Sequence, residues 1–323
     1  MPYAVRIHEH GGAENLKWEE VEVGAPGPGE VRVRNTAIGL NFIDTYQRSG
    51  LYPMPMPFTL GSEGAGVVEA VGKRVKTLKV GDRVAYAGPT GAYAEVVMRP
   101  ADRLVKIPTG VDDQTAAAMM LKGLTTQYLL RRTYRVKAGD TILMHAAAGG
   151  VGLILCQWAK ALGATVIGTV GSEEKVALAK KAGCKHVIVL GKENFVERVK
   201  TITKGKGVPV VYDGIGKDTF AGSLDCLRPL GMMVSFGNAS GAVPPVSIGI
   251  LAQKGSLFLT RPTLGTYTAT AEDLTKAARE LFSVVKSGKV KININQTYPL
   301  KEAAQAHRDL EGRKTTGSTV LLP

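Results

Sequence analysis

The stretch between Thr141 and Thr260 constrains the fold more than any other part of the chain. Six short strand-like runs lie in it: Thr141–His145, Thr165–Thr169, His186–Leu190, Val208–Asp213, Met232–Phe236 and Ser256–Thr260. Segments of helical period separate them. Val151, Ile154, Leu155, Trp158 and Leu162 recur at helical spacing and draw one apolar stripe down a helix. Strand and helix in alternation imply parallel strands joined by right-handed crossovers, hence a doubly wound α/β sheet.

The first of these strands runs into a glycine loop. Ile142-Leu143-Met144-His145 is followed by Ala146-Ala147-Ala148-Gly149-Gly150-Val151-Gly152, where the stripe begins. The loop is a dinucleotide fingerprint with Ala147 at its first glycine, and Gly149 and Gly152 at the second and third. Without a Cβ, Gly149 lets a pyrophosphate approach the backbone, and Gly152 lets helix and strand pack closely. The free N–H groups of the helix start attract the anion. Gly149, Gly150 and Val151 are therefore candidate cofactor contacts.

The tip of the second strand discriminates between the two pyridine nucleotides. NAD binders carry an acid there that holds the ribose 2′-hydroxyl. Here the segment reads Gly168-Thr169-Val170-Gly171-Ser172-Glu173-Glu174-Lys175. Gly171 and Ser172 occupy the tip and Lys175 lies within the next turn. Small donors, a cation and a helix start suit a 2′-phosphate, which favours NADPH. Glu173 and Glu174 pull the other way, although acids are also ordinary in a first helical turn.

Up to about Leu121 the texture differs. Short alternating runs such as Glu30–Arg34, Gly66–Gly72 and Gly81–Tyr86 are separated by Gly and Pro, as in a partly antiparallel β unit. From Arg261 onward a helix from Glu272 to about Ser287, a short helix over Lys301–Leu310 and a terminal strand Ser318–Leu322 are expected to complete that unit. The expected division is 1–123 with 261–323, and 124–260 as an inserted nucleotide-binding domain. Lys and Arg exceed Asp and Glu by thirteen. The charges are dispersed, so a solvated basic surface is favoured over a nucleic-acid site, which stays open. Cys156, Cys184 and Cys226 show no CxxC spacing. No run approaches the length of a membrane span and no leader pattern is visible, so a cytoplasmic protein is expected.

Asn41-Phe42-Ile43-Asp44-Thr45-Tyr46, Leu60-Gly61-Ser62-Glu63-Gly64-Ala65-Gly66, Val80-Gly81-Asp82-Arg83-Val84 and the glycine loop together resemble the zinc-free quinone oxidoreductases. This is the ζ-crystallin-like branch of the medium-chain dehydrogenase/reductase superfamily. Ser235–Asn238 and Leu259–Pro262 extend the resemblance over essentially the whole chain. It implies a GroES-like catalytic domain built from both chain ends, a central Rossmann domain, a cleft between them and a homodimer. It further implies NADPH contacts at Asn41, Gly150, Val151, Ser172, Lys175, Phe236, Gly237, Ser240 and Arg261, with Arg313 reaching the adenosine phosphate. The family's adenine-packing Tyr after the third Rossmann strand is missing. Val187-Ile188-Val189-Leu190-Gly191 stands there, leaving only an apolar contact from Leu190.

Zinc-dependent relatives hold their catalytic ion at the positions matching Asn41 and Ser62, and have a four-cysteine lobe that this chain lacks. An amide and a hydroxyl are not normal zinc ligands, so no metal is expected. Without that Lewis acid, the remaining chemistry is hydride transfer from NADPH to an acceptor that is electrophilic by itself. A quinone is the favoured acceptor. An enal or enone is the alternative, and an RNA-binding or structural protein of ζ-crystallin type is a more distant one. Asn41, Tyr46 and Tyr52 are the candidates for orienting the acceptor. Thr125 and Tyr128 are further candidates, expected in the first turns of a helix after Gly123. Packing roles for both tyrosines Tyr46 and Tyr52 stay open, and His145 and Cys156 read as core.

Overall fold

The computed structural model describes all 323 residues, and the chain divides into two compact units. The first comprises Met1–Leu124, Thr268–Phe282 and Ile292–Pro323. Its central strand, Glu30–Leu40, alternates polar residues with the fully buried Val31 and Val33. Antiparallel neighbours on this strand are Glu63–Val71, Val96–Pro100 and the terminal strand Ser318–Leu322. The terminal strand and strands between Glu30 and Lys106 therefore share one seven-stranded sheet, while Tyr3–Ile7 lies in a separate three-stranded one. A core of Val31, Val33, Ile38, Leu60, Tyr93 and Leu321, among others, lies beneath it.

Helix α1 (Phe42–Ser49) leaves the end of the central strand directly. The Asp44 carboxylate accepts the Asn41 N–H at 2.9 Å, which satisfies one of the donors beside a helix start. Gly50, in the left-handed region at φ 84°, ends the helix. Helix α2 (Asp113–Tyr128) follows with a fully buried run, Ala116–Met120. It corrects one expectation. Thr125 and Tyr128 occupy the last turn of this long helix, not the first turns of a new one. Gly123 does not break it, because Leu281 packs where a Cβ would stand, 2.6 Å away.

The second unit comprises Thr125–Tyr267 and Ser283–Lys291. Its six strands are Thr141–Met144, Thr165–Val170, Cys184–Val189, Val208–Asp213, Leu227–Ser235 and Phe258–Thr260. All neighbouring pairs are parallel. Numbered along this unit, their spatial order is 3-2-1-4-5-6, that of a dinucleotide-binding fold. The first strand stops before His145 because Ala146 turns left-handed at φ 54°. The last begins at Phe258 instead of Ser256, which is itself left-handed at φ 56°. The fifth starts earlier than the periodicity predicts, at Leu227, with Pro229 and a register shift obscuring its alternation. No helix in the chain is long and apolar enough to cross a membrane.

Candidate functional site

The glycine loop takes the form its composition predicts. Gly149 is the N-cap of helix α3 (Gly150–Ala161). Apart from its chain neighbours, a Cβ on Gly149 would meet one atom only within 4 Å, the Ala146 carbonyl oxygen at 3.2 Å, so this side of the cap lets another backbone or ligand atom approach closely. A Cβ on Gly152 would lie 2.3 Å from that same oxygen, so only glycine permits this approach of helix to loop. Gly150 and Val151 open the helix and are partly exposed. An anion at the cap meets free N–H groups and the positive end of a twelve-residue helix, which fits a pyrophosphate.

At the tip of the second strand, a Cβ on Gly171 would find nothing within 4 Å. Ser172 caps a short 3₁₀ turn, Glu173–Lys175, so Lys175 lies one turn beyond it. Glu173 forms an exposed ion pair with Lys192 at 2.7 Å. The acids that weakened the cofactor assignment are thus at the surface. Phe236 and Gly237 follow the fifth strand, and the Ser240 hydroxyl donates to the Ile215 carbonyl at 2.9 Å. The Arg261 guanidinium donates to the Ser235 hydroxyl and the Gly237 carbonyl at 3.2 and 3.0 Å. Arg313 belongs to the first unit, where it is exposed and left-handed at φ 59°. Leu190 is half-buried at the end of the third strand.

Beneath this face a polar cluster is fully enclosed. His145 bonds the Thr169 hydroxyl through Nδ1 and the Ser223 hydroxyl through Nε2, both at 2.9 Å. Burial holds its pKa below the usual histidine value, opposed by the charge of Asp213. The Asp213 carboxylate accepts the N–H groups of Ile215 and Gly216 and the Thr219 hydroxyl, which fixes the loop after the fourth strand. Cys156 is buried, with its sulfur 3.4 Å from that of Cys184.

In the first unit, Asn41 and Ser62 each donate to an acid beside the other, Asn41 to Glu63 and Ser62 to Asp44. The Ser62 hydroxyl donates to Asp44 Oδ1 and the Asn41 amide donates to Glu63 Oε1, each at 2.9 Å. Glu63 is completely buried. It also accepts the Leu121 N–H at 2.6 Å and forms an ion pair with the buried Lys122 at 2.5 Å. The two positions that would hold zinc in relatives are therefore occupied by donors turned onto carboxylates. No group of three or more His, Cys, Asp or Glu side chains is placed to hold a metal ion.

A chain of bonds leads away from Asp44. Tyr93 donates its hydroxyl to Asp44 Oδ2 at 2.9 Å, and His307 Nε2 lies 3.1 Å from that hydroxyl. His307 Nδ1 faces Arg48 Nη1 at 3.1 Å. A guanidinium only donates, so Nδ1 accepts and Nε2 carries the proton toward Tyr93. Arg48 also holds Glu311 through two bonds of 3.0 and 2.7 Å. Burial lowers the His307 pKa to about 3, with the Arg48 charge adding to the effect. Burial raises Asp44 to about 6, against the opposing pull of its bonds to Asn41, Ser62 and Tyr93 and the charge of Lys122. The Tyr93 hydroxyl is pushed well up by burial and by Asp44.

Tyr46 and Tyr52 form an edge-on pair with ring centroids 5.4 Å apart, and Phe42 lies 6.3 Å from Tyr46. Tyr46 is buried and Tyr52 half-buried. Thr125 hydrogen-bonds Tyr128, whose hydroxyl burial pushes up to about 12. The Tyr128 ring stacks on Tyr267 at 4.5 Å. Sequence reasoning did not single out Glu63, Lys122, Tyr93, Arg48 or His307. One signal was visible: Lys122 interrupts the otherwise apolar helical run Ala116–Leu124, where a charge demands a partner.

The chain is similar to known proteins in sequence and in fold. Residues 27–109 match the model of the alcohol dehydrogenase GroES-like domain, and residues 150–283 that of the zinc-binding dehydrogenases. A quinone oxidoreductase of Pseudomonas aeruginosa is 58% identical over 325 residues, with all of both chains covered. A 2-haloacrylate reductase of a Burkholderia species is 50% identical, covering all of this chain and 99% of its own. The crystal structure of Escherichia coli quinone oxidoreductase complexed with NADPH superposes with a TM-score of 0.98 at 54% identity. That match covers 99% of this chain and 100% of the other.

Proposed function

This chain belongs to the zinc-free quinone oxidoreductase branch of the medium-chain dehydrogenase/reductase superfamily, and from that premise we propose how its residues divide the work of an NADPH:quinone reductase. The observation that carries the activity is full-length identity above one half to quinone oxidoreductases, joined to a glycine loop with an open anion cap. Bound NADPH supplies the hydride. Gly149, Gly150 and Val151 hold the pyrophosphate at the start of α3. Gly171, Ser172 and Lys175 take the 2′-phosphate, with Arg313 at the adenosine phosphate. Asn41, Tyr128, Phe236, Gly237, Ser240 and Arg261 complete the nucleotide contacts. Asn41, Tyr46, Tyr52 and Thr125 receive and orient the acceptor, excluding water from the reacting carbon.

A conjugated alkene is the second acceptor class, favoured by the 50% identity to a 2-haloacrylate reductase. Rates for 1,4-benzoquinone, naphthoquinone, crotonaldehyde and 2-chloroacrylate, with NADPH and with NADH, test the assignment. Quinones turn over with the highest kcat/KM, NADPH outperforms NADH, and a chelator changes nothing. An alkene that outpaces every quinone, or zinc whose removal abolishes turnover, overturns it.

We further assign a homodimer formed through the edge strand Phe258–Thr260. Phe258 and Leu259 there, with Leu230 on the adjacent strand Leu227–Ser235, are large exposed apolar side chains at an unpaired sheet edge. Light scattering reads this directly: Phe258→Lys should yield monomer, and an unchanged mass would exclude the edge. A cytoplasmic location suits Cys156 and Cys184, which stand side by side as free thiols.

A further inference from the structure

The ion pair between Lys122 and Glu63 is buried and touches Asn41, a residue assigned to both the acceptor and the nucleotide. Glu63 Oε1 receives both the Lys122 ammonium at 2.5 Å and the Asn41 amide at 2.9 Å. The two nitrogens therefore lie no farther apart than those two bonds laid end to end. Along α2, Lys122 precedes Thr125 by three residues, which places both on one helix face. Lys122 thus stands beside two of the four residues assigned to the acceptor.

We propose that Lys122 is the cationic element of the acceptor site, stabilising the negative charge that grows on the acceptor oxygen during reduction. The proposal rests on the reading of Asn41 and Thr125 as acceptor contacts. Addition of hydride gives the quinone two electrons and one hydrogen, leaving a hydroquinone monoanion and oxidised nucleotide. The monoanion then takes a proton from water. A fixed cation away from bulk solvent lowers the energy of that anion more than of the neutral quinone, which is the condition for accelerating the step. Glu63 tempers the cation without cancelling it, because its charge is shared with the Leu121 and Asn41 N–H groups. Glu63 is accordingly a positioning residue.

A purely structural ion pair makes a different prediction from a catalytic cation, because its loss would lower stability and slow every acceptor alike. Lys122→Met should lower kcat/KM for quinones about 10- to 100-fold, while KM for NADPH stays within about twofold. The loss should grow with the basicity of the hydroquinone formed. Lys122→Arg keeps a cation at this position, so it should recover much of the quinone turnover that Lys122→Met loses. If Lys122→Met does not fold, the double variant Glu63→Gln with Lys122→Met removes both charges together and takes its place. A readout independent of turnover is the titration of 4-nitrophenol bound in competition with quinone. The wild type should lower its pKa by about one unit relative to buffer, and the variants without a positive charge at position 122 should not. Equal losses in the two single variants, a loss uniform across quinones, or identical nitrophenol titrations would overturn the proposal. A wild type that reduces no quinone would instead defeat the assigned activity, and the nitrophenol titration would still report on the Lys122 charge.

Discussion

Replacing His307 by Gln should make the protein resist acid better than the wild type. The Gln amide reproduces both bonds, accepting from Arg48 and donating to Tyr93, but cannot titrate. In the native chain His307 has a pKa of about 3, against about 6.5 when unfolded. A group depressed in the folded state contributes stability above its unfolded pKa and loses it as pH falls toward the folded value. Between pH 7 and pH 5 that loss is about 2 kcal/mol. Asp44 acts in the opposite sense. Its folded pKa of about 6 exceeds the unfolded value, so acidification through pH 6 returns about 1.3 kcal/mol over the same interval. The wild type therefore loses little from this pair, while the variant gains. The other charged groups along the chain, Arg48 and Glu311, are common to both proteins and drop out of the comparison. A difference of about 2 kcal/mol corresponds to about 4–8 °C in melting temperature for a unit of this size. Thermal unfolding at both pH values measures it. Parallel falls in melting temperature for the two proteins would refute a neutral, buried His307.

Three other substitutions bear on the site and the fold. Lys175→Ala should raise KM for NADPH about tenfold or more, the worth of one charge-assisted bond, and leave NADH nearly unchanged. Equal effects on both nucleotides would remove Lys175 from the phosphate site. Tyr52→Phe should lower kcat/KM for quinones about three- to tenfold through loss of a phenol donor, and unaltered kinetics over several quinones would leave its ring with a packing role alone. Gly152→Ala forces a Cβ to 2.3 Å from the Ala146 carbonyl, so the second unit should lose about 1–3 kcal/mol and bind NADPH more weakly. A melting temperature and nucleotide affinity equal to wild type would contradict the close approach.

Much of this protein can be read directly from its residues. Apolar stripes and short buried runs specify alternating strands and helices, since each periodicity matches one backbone geometry. The glycine loop marks the proposed nucleotide site, because backbone approach and tight packing both require a missing Cβ. Asn41 and Ser62 argue against a metal by their ligand chemistry alone. Boundaries were less legible where one residue reverses the backbone, as Ala146 and Ser256 do, and where Gly123 continues a helix that its propensity opposes.

Side-chain partnership was invisible. Arg48 and His307 are 259 positions apart, and Glu63 and Lys122 are 59. Local pattern says that a buried charge needs a counterpart, but which counterpart depends on how distant segments meet. The sequence by itself determined the α/β architecture, the nucleotide loop and the ligand chemistry that disfavours zinc, because each rests on local geometry or residue type. Only the tertiary structure decided that Glu63 joins Lys122 to Asn41, and that Asp44 connects through Tyr93 and His307 to Arg48. Those bonds exist because folding brings remote polar groups out of water together, where each must be satisfied by the other.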